Sequence, residues 1–171
     1  MFDENYKFSL NVKGIELEGG MVLPGHSSKI KNSLKDLSLE TIRHRFLGVK
    51  KDFSESELNQ LTHLDHNDHV AIGLLEKHGQ QRGVGIARFV RDTKDKSSAE
   101  FAITIIDDYQ KLGLGTKLLE LLILAAKEKG VTTFTFSFLP ENDAILKLVR
   151  KFGKPEALKK ESGYWEYRIK L

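Results

Sequence analysis

The sequence predicts a single mixed α/β domain, residues 1–171, whose mostly antiparallel sheet contains one parallel strand–helix–strand unit. The length of 171 residues suits one domain with its own core. Two apolar segments, residues 70–75 and 84–90, flank a polar turn as in a hairpin. A β-branched segment at residues 99–106 precedes a long apolar helix and a strand at residues 131–139, which is the order of a parallel crossover.

The first third of the chain predicts short strands followed by two helices. One or two strands are expected around Phe8–Val12, and Gly19-Gly20 predicts a turn. Ser38 is a good N-cap for a helix that ends at Gly48, because apolar residues follow it at helical spacing. The segment Ser54–Glu57 has the pattern of a capping box and predicts a second helix.

The last third predicts alternating helices and strands. The helix expected at residues 116–129 is apolar on nearly every side, which indicates that it is buried. Residues 131–139 alternate Thr and Phe and predict a strand with one core face. An amphipathic helix is expected at residues 141–152, and a final strand at residues 164–171.

Composition excludes several kinds of chemistry. The chain contains no cysteine, so a disulfide framework, a thiolate zinc site and a cysteine nucleophile are impossible. His63, His66 and His69 are spaced by three residues, but no His-Glu-x-x-His pattern accompanies them. We therefore expect no metal site.

Charge and hydrophobicity indicate the compartment and the partners. The formal net charge is +3, and the basic residues are mixed with acidic ones, as on a solvated surface rather than a nucleic-acid-binding face. Residues 1–13 lack the apolar core of a secretory signal, and no apolar run has the length of a membrane span. We expect a cytoplasmic protein without nucleic-acid or membrane partners.

One segment carries the most specific chemistry, and it consists of Gln110, Lys111, Leu112, Gly113, Leu114, Gly115 and Thr116. It joins a strand to a buried helix, so it lies at the carboxyl end of the sheet, where the first helical turn offers free N–H groups to an anion. The two glycines allow close backbone approach to a phosphate. A dinucleotide fingerprint fails at Leu118, and a nucleotide P-loop fails at both ends of the segment. A plain tight turn remains the alternative.

The pattern Q-x-x-G-x-G between a strand and a buried helix resembles the acyl-CoA-binding signature of the GNAT superfamily of N-acetyltransferases. Residues 99–103 resemble that family's fourth strand, and residues 140–146 resemble the segment after its fifth strand. Residues 38–48 and 53–65 are similar to bacterial GNAT protein lysine acetyltransferases that modify acyl-CoA synthetases. The resemblance covers roughly residues 30–154.

This resemblance implies a GNAT-like sheet that is splayed at its parallel unit to hold acyl-CoA, with acetyl-CoA as the co-substrate. The main-chain amides of residues 111–116 would bind its pyrophosphate. The backbone of Thr104, Ile105 and Ile106 would pair with the pantetheine arm, and Asn142 would hydrogen-bond it. Asn142 has a second interpretation as a polar residue at a helix N-terminus.

Direct acyl transfer requires a base, because an amine with a pKa of roughly 10.4 is protonated at neutral pH. The resemblance assigns this role to Glu100, which begins the strand before the loop; the alternative is an exposed strand-edge glutamate. Many relatives carry a tyrosine general acid at the position of Val149, so this chain lacks the usual proton donor. Asp107 and Asp108 are interpreted as turn residues.

Three functions remain open at this point. The first is transfer of an acetyl group to a protein lysine, and the second is transfer to a small-molecule amine. The third is a non-catalytic acyl-CoA-binding or regulatory module, which would need no base such as Glu100. The sequence gives no indication of the oligomeric state.

Overall fold

The computed structural model describes residues 1–161 and 163–171. Within them the strands are β1 (Lys7–Val12), β2 (Ile15–Met21), β3 (His69–Glu76), β4 (Gly83–Arg91), β5 (Ser98–Ile105), β6 (Thr133–Phe138), β7 (Glu156–Lys160) and β8 (Trp165–Lys170). The α-helices are α1 (Ser27–Ser33), α2 (Leu39–Phe46), α3 (Glu55–Thr62), α4 (Leu114–Glu128) and α5 (Asp143–Val149).

All eight strands form one sheet in the order β1-β2-β3-β4-β5-β6-β8-β7. Every neighbouring pair is antiparallel except β5 and β6, which are parallel and are joined by α4. This arrangement confirms the predicted fold class. None of the described helices is long and apolar enough to cross a membrane.

The parallel pair is short and then parts. β5 and β6 pair at Ser98–Thr133, Ala99–Phe134 and Glu100–Thr135. Beyond this point β5 continues to Ile105 and β6 to Phe138, without further pairing between them. The sheet therefore opens into a V-shaped cleft whose vertex is the Glu100–Thr135 rung.

The two faces of the sheet are covered by different helices. On one face, α4 packs against β3, β4 and β5, and it contributes buried residues such as Leu118 and Leu122 to the core. A Cβ atom added at Gly85 would lie 3.4 Å from Leu118 Cδ1, so odd-numbered residues of β4 from Gly85 onward face α4. Even-numbered residues such as Ile86 and Arg88 face the opposite layer, which consists of α1, α2 and α3.

The N-terminal hairpin corrects one prediction. Gly19 and Gly20 lie inside β2 rather than in a turn. A side chain at Gly19 would collide with the ring of Phe8, and a Cβ at Gly20 would lie 2.7 Å from the Tyr6 carbonyl. The turn lies instead at Lys13–Gly14, where both residues have positive φ, as a tight hairpin requires.

Most other predicted elements are present. Helices begin after the predicted caps Ser38 and Ser54, and each cap's side chain accepts a backbone N–H. Helix α4 begins at Leu114, two residues earlier than predicted. Helix α1 and the edge strand β7 were not predicted from the sequence.

Candidate functional site

The loop between β5 and α4 is held to the rest of the protein by its own polar side chains. Gln110 Nε2 donates to the Ile105 carbonyl and to Thr41 Oγ1 of α2, each at 3.1 Å. Tyr109 is buried, and its hydroxyl donates to Glu76 Oε1 at 2.6 Å. Burial and the contact with Glu76 raise the pKa of Tyr109 to about 12. Both Gln110 and Tyr109 therefore hold the loop in place, and the side-chain amide of Gln110 bonds within the protein.

Asp107 connects the same loop to the N-terminus of α2. Its carboxylate accepts hydrogen bonds from the Ser38 amide at 2.9 Å, the Ser38 hydroxyl at 2.6 Å and Thr41 Oγ1 at 3.0 Å. Partial burial opposes ionisation of Asp107, but these bonds outweigh it and hold the pKa of the carboxyl below its usual value. Asp107 is therefore a turn residue that also fixes the loop to the N-terminus of α2.

The amides of the predicted anion-binding loop are available. Gly113, with φ 84°, precedes the first residue of α4, and Lys111 also has a positive φ of 60°. None of the N–H groups from Lys111 to Thr116 donates a hydrogen bond to a residue that the structure describes. Free amides in this turn, combined with the positive end of a 15-residue helix, are suited to an anion such as a diphosphate.

Lys151, which no sequence motif marks, lies beside this loop. Lys151 Nζ donates to Thr116 Oγ1 at 2.9 Å, which places an exposed ammonium group beside the free amides. Lys151 follows α5, and 35 residues separate it from Thr116. Only the tertiary fold brings the two together, so no local sequence signal could have identified Lys151.

The backbone of β5 supplies further free groups inside the cleft. The Ile106 amide donates to the Val84 carbonyl at 3.0 Å, and the amides of a strand alternate in direction. The amides of Thr104 and Ile106 therefore point to β4, whereas those of Ile103 and Ile105 point to the side that β6 has left. Of the three residues predicted to pair with a cofactor arm, Ile105 thus directs its amide into the cleft. Ile103 has the same orientation, which could have been inferred only from the strand register.

Glu100 lies at the vertex of the cleft. It pairs with Val90 on β4 and with Thr135 on β6, at the last rung before the strands part. Its side chain is exposed and makes no hydrogen bond to a described residue. The side chain lies on the α1–α3 face, as does that of Thr104, about 13 Å farther along the strand at 3.3 Å per residue. Small Ala102 lies between them on this face.

The opposite wall of the cleft continues from β6 into α5. Asn142 precedes α5, is half-buried, and its side chain bonds to no described residue, so its amide can accept or donate to a ligand. Val149 is 1% exposed and packs in the core, so this position holds no proton donor. Tyr109 cannot replace it, because its hydroxyl is committed to Glu76.

A cavity of about 230 Å³ lies on the α1–α3 face of the sheet. Its floor is a row of paired residues on adjacent strands, Gly20, Gly73, Ile86 and Thr104. Its roof includes Ile30 and Leu34. Thr104 Oγ1 is buried and has no partner among the described residues. The cavity therefore reaches the segment of β5 that borders the cleft.

Two arginines line this cavity without an anionic partner. Arg45 of α2 and Arg88 of β4 make no ion pair with any residue in the described part of the chain. Burial lowers the pKa of Arg45, although Glu100 opposes this effect, and burial together with Arg45 lowers the pKa of Arg88 to about 10. Arg88 contacts the ring of His69, whose pKa is lowered to about 4 by burial and by Arg88, so this histidine is neutral.

Metal-ligating side chains do not cluster in the residues that the structure describes: no three His, Asp or Glu side chains lie close enough to hold an ion. The donors present are backbone amides, a lysine and a strand edge. This set suits a diphosphate that carries a narrow arm with amide groups, and it fits the predicted acyl-CoA.

The comparison with protein families gives one assignment over most of the chain. Residues 37–153 match the acetyltransferase (GNAT) family. The matched region begins just before α2 and ends after α5, so it includes Glu100, the loop of residues 110–116 and Asn142.

Individual relatives agree with that match. Acetyltransferase Pat of Mycolicibacterium smegmatis is 33% identical over 132 residues, which make up 77% of this chain and 39% of the relative. The chain thus spans about two fifths of that relative's length. The GNAT domain of S. lividans PAT has the same fold, with a TM-score of 0.86, 19% identity and full coverage of both chains. The protein yncA of Salmonella typhimurium, solved with its cofactor acetyl-CoA, has a TM-score of 0.65 at 16% identity, covering 91% of this chain and 94% of its own.

Proposed function

The chain belongs to the acetyltransferase (GNAT) family, and we propose that it transfers the acetyl group of acetyl-CoA to the side-chain amine of a protein lysine, with Glu100 as the general base. The enzyme class follows from family membership. The acceptor and the base are the parts that this proposal adds.

The observation that carries the proposal is the arrangement of free groups around the cleft. The amides of residues 111–116 have no partner in the described chain, and Lys151 lies beside them. The amides of Ile103 and Ile105 line the cleft toward Glu100. A diphosphate bound at the loop can therefore continue as an extended arm along β5 and place its thioester near the vertex.

The chemistry assigned to the protein residues is proton removal and polarisation. Glu100 accepts a proton from the incoming ammonium, directly or through one water, so that the neutral amine can attack the thioester carbonyl. A cleft-facing amide of β5 stabilises the oxyanion that develops on that carbonyl. The thiolate leaves without a protein acid at position 149, because Val149 has no proton to give.

The resemblance of residues 38–48 and 53–65 to bacterial protein lysine acetyltransferases favours a lysine of another protein as the acceptor. The Mycolicibacterium smegmatis relative is named acetyltransferase Pat, and the S. lividans structure is the GNAT domain of a protein named PAT. Glu100 is exposed on the α1–α3 face, where a lysine side chain from a second protein can approach it. A small amine could reach the same carboxylate, so the acceptor requires a direct test.

The test is to incubate the purified protein with acetyl-CoA labelled in the acetyl group and with a bacterial lysate. We expect label in acid-precipitable protein, resistant to hydroxylamine as an amide is, and its location on lysine by mass spectrometry. Label found only in the small-molecule fraction would contradict the protein acceptor and would favour a small amine. Binding of acetyl-CoA without any transferred label would indicate a non-catalytic module.

A further inference from the structure

We propose that this enzyme also accepts acyl donors whose acyl group ends in a carboxylate, such as succinyl-CoA, and that Arg45 and Arg88 bind that carboxylate. This inference rests on the proposed function, because it takes the thioester to lie beside β5. It concerns the acyl group rather than the acceptor.

The position of the cavity supports an acyl group as its occupant. Thr104, at one end of the cavity floor, belongs to the strand segment along which the donor arm is placed. Glu100, where the acceptor amine must be deprotonated, does not line the cavity. The cavity therefore borders the donor side of the site, and we place an acyl chain longer than acetyl in it.

The shape of the floor gives that chain room. Gly20 and Gly73 are paired on adjacent strands, and Gly73 is paired in turn with Ile86. Both glycines line the cavity and add no side chain to its floor, although the Tyr6 carbonyl packs over Gly20 and Val22 lies close to Gly73. The cavity volume of about 230 Å³ is several times the roughly 30 Å³ that one water occupies. The few heavy atoms by which succinyl is longer than acetyl therefore fit.

The charge of the cavity favours an acyl group whose far end is a carboxylate. A buried cation without a counter-ion is costly. Arg88 is buried and Arg45 is partly buried, and neither makes an ion pair with a described residue. Arg88 donates only to the Gln60 carbonyl and contacts His69, and Arg45 lies over the Phe46 ring.

The two acidic residues that line the cavity do not neutralise the arginines, because Glu18 pairs with Lys7 at 3.8 Å and Glu4 makes no ion pair with Arg45 or Arg88. Burial lowers the pKa of each guanidinium, and for Arg45 the field of Glu100 offsets this only in part. A carboxylate bound between the two would provide charge-assisted hydrogen bonds.

The transfer step is the same as for acetyl. The amine nitrogen forms a bond to the thioester carbonyl carbon, the carbon–sulfur bond breaks, and its electron pair leaves on the CoA sulfur. Glu100 takes one proton from the ammonium before the attack, and the second proton that the nitrogen loses ends on the departing CoA sulfur, which becomes the thiol. The terminal carboxylate keeps its charge and takes no part in bond making.

Isothermal titration calorimetry can test this proposal without an identified acceptor. The donors are acetyl-CoA, succinyl-CoA and 4-methylpentanoyl-CoA, in which a branched methyl pair replaces the two carboxylate oxygens of succinyl. We expect succinyl-CoA to bind about tenfold more tightly than 4-methylpentanoyl-CoA, as charge-assisted bonds to a buried group predict. Arg45→Met and Arg88→Met should each remove this preference and leave the affinity for acetyl-CoA unchanged. Arg168→Met, which removes an exposed arginine paired with Glu156, is the matched control.

Each result decides the matter. Equal affinity for succinyl-CoA and its apolar isostere would overturn the proposal, as would a preference that persists in Arg45→Met. Unchanged acetyl-CoA binding shows that a variant is folded. If Arg88→Met does not fold, Arg45→Met, on the more accessible α2, gives the answer. Failure of the unmodified protein to bind acetyl-CoA would instead contradict the proposed function.

Discussion

Glu100 occupies the rung at which the sheet changes from paired to parted strands. Its backbone is held on both sides, by Val90 and by Thr135, while its carboxylate has no hydrogen-bond partner in the described chain. A rigid backbone combined with a free side chain is the arrangement that a general base needs, because its position is fixed and its lone pairs remain available.

Replacing Glu100 with Gln tests this role at the scale of one residue. The amide keeps the shape of the side chain but cannot accept the ammonium proton, so we expect turnover to fall about 10²–10⁴-fold. The affinity for acetyl-CoA should not change, because the base lies at the far end of the cleft from the loop. Labelled-acetyl transfer and calorimetry measure the two quantities. Glu156→Gln, at an exposed edge position, serves as the control, and normal turnover in Glu100→Gln would remove Glu100 from the mechanism.

Lys151 allows a second test at a single residue. Its ammonium lies at hydrogen-bond distance from Thr116, beside the amides assigned to the diphosphate. Because one charge-assisted contact to a phosphate contributes about 1.5–3 kcal/mol at most and this lysine is exposed, we expect Lys151→Met to weaken acetyl-CoA binding by about three- to tenfold. Added salt should reduce the difference. Lys127→Met, near the other end of α4, should bind as the unmodified protein does.

At the scale of elements, the loop and helix α2 form one unit through Asp107. The carboxylate receives three hydrogen bonds from Ser38 and Thr41 at the helix N-terminus. The loop that holds the free amides is therefore positioned by a helix that precedes it by about 70 residues. The sequence indicated Ser38 as a cap, but the partner of that cap depends on long-range packing.

We expect Asp107→Ala to lower the free energy of unfolding by about 1 kcal/mol at pH 7, as loss of a helix cap does. Folding lowers the pKa of Asp107 from its usual value of 3.8, so the charged carboxylate stabilises the protein above that pH. The contribution is lost as the pH falls through the lower folded-state pKa. Urea denaturation of the variant and the unmodified protein should show a larger difference in the free energy of unfolding at pH 7 than near pH 3. Asp108→Ala, which removes an exposed partner of Arg82, should change stability by less than about 0.5 kcal/mol.

The elements that the sequence did not predict have physical explanations. Gly19-Gly20 has the composition of a turn, but these residues are glycine because Phe8 and the Tyr6 backbone pack against them inside the sheet. Helix α1 has no side-chain cap at its start and no buried residue, so neither a cap nor a hydrophobic pattern marks it. Every residue of β7 is exposed, so this strand also lacks a hydrophobic pattern. By contrast, α4 and the hairpin of β3 and β4 are strongly apolar, and both were predicted.

At the scale of the whole molecule, the sequence predicted the cleft through one motif and one fold class. Residues 110–116 identified the loop because its chemistry is local. Lys151, Ile103 and the two cavity-lining arginines, Arg45 and Arg88, lie on separate elements. They come close only when the sheet and both helical layers are assembled. The part of the site that depends on topology therefore needed the structure.

Hydrogen exchange can locate the donor site across the whole chain. In the presence of acetyl-CoA at about 100 times its dissociation constant, we expect stabilisation of roughly 2.7 kcal/mol against global unfolding. The largest additional protection should fall on the amides of β5 and of residues 110–116. The edge strand β7 should exchange rapidly with or without the donor, because all of its residues are exposed at the edge of the sheet. Protection concentrated in β1 and β2 would contradict the location of the site.

A sheet that parts between β5 and β6 is incomplete until a donor occupies the gap. Under the proposed function, the arm of acetyl-CoA takes the place of the missing strand, so the intact protein gains stability from the molecule it consumes. Proteases degrade chains that open, and the open population falls as ligand binds. We therefore expect the half-life of this protein in a growing cell to lengthen when the thioester pool is large and to shorten during starvation.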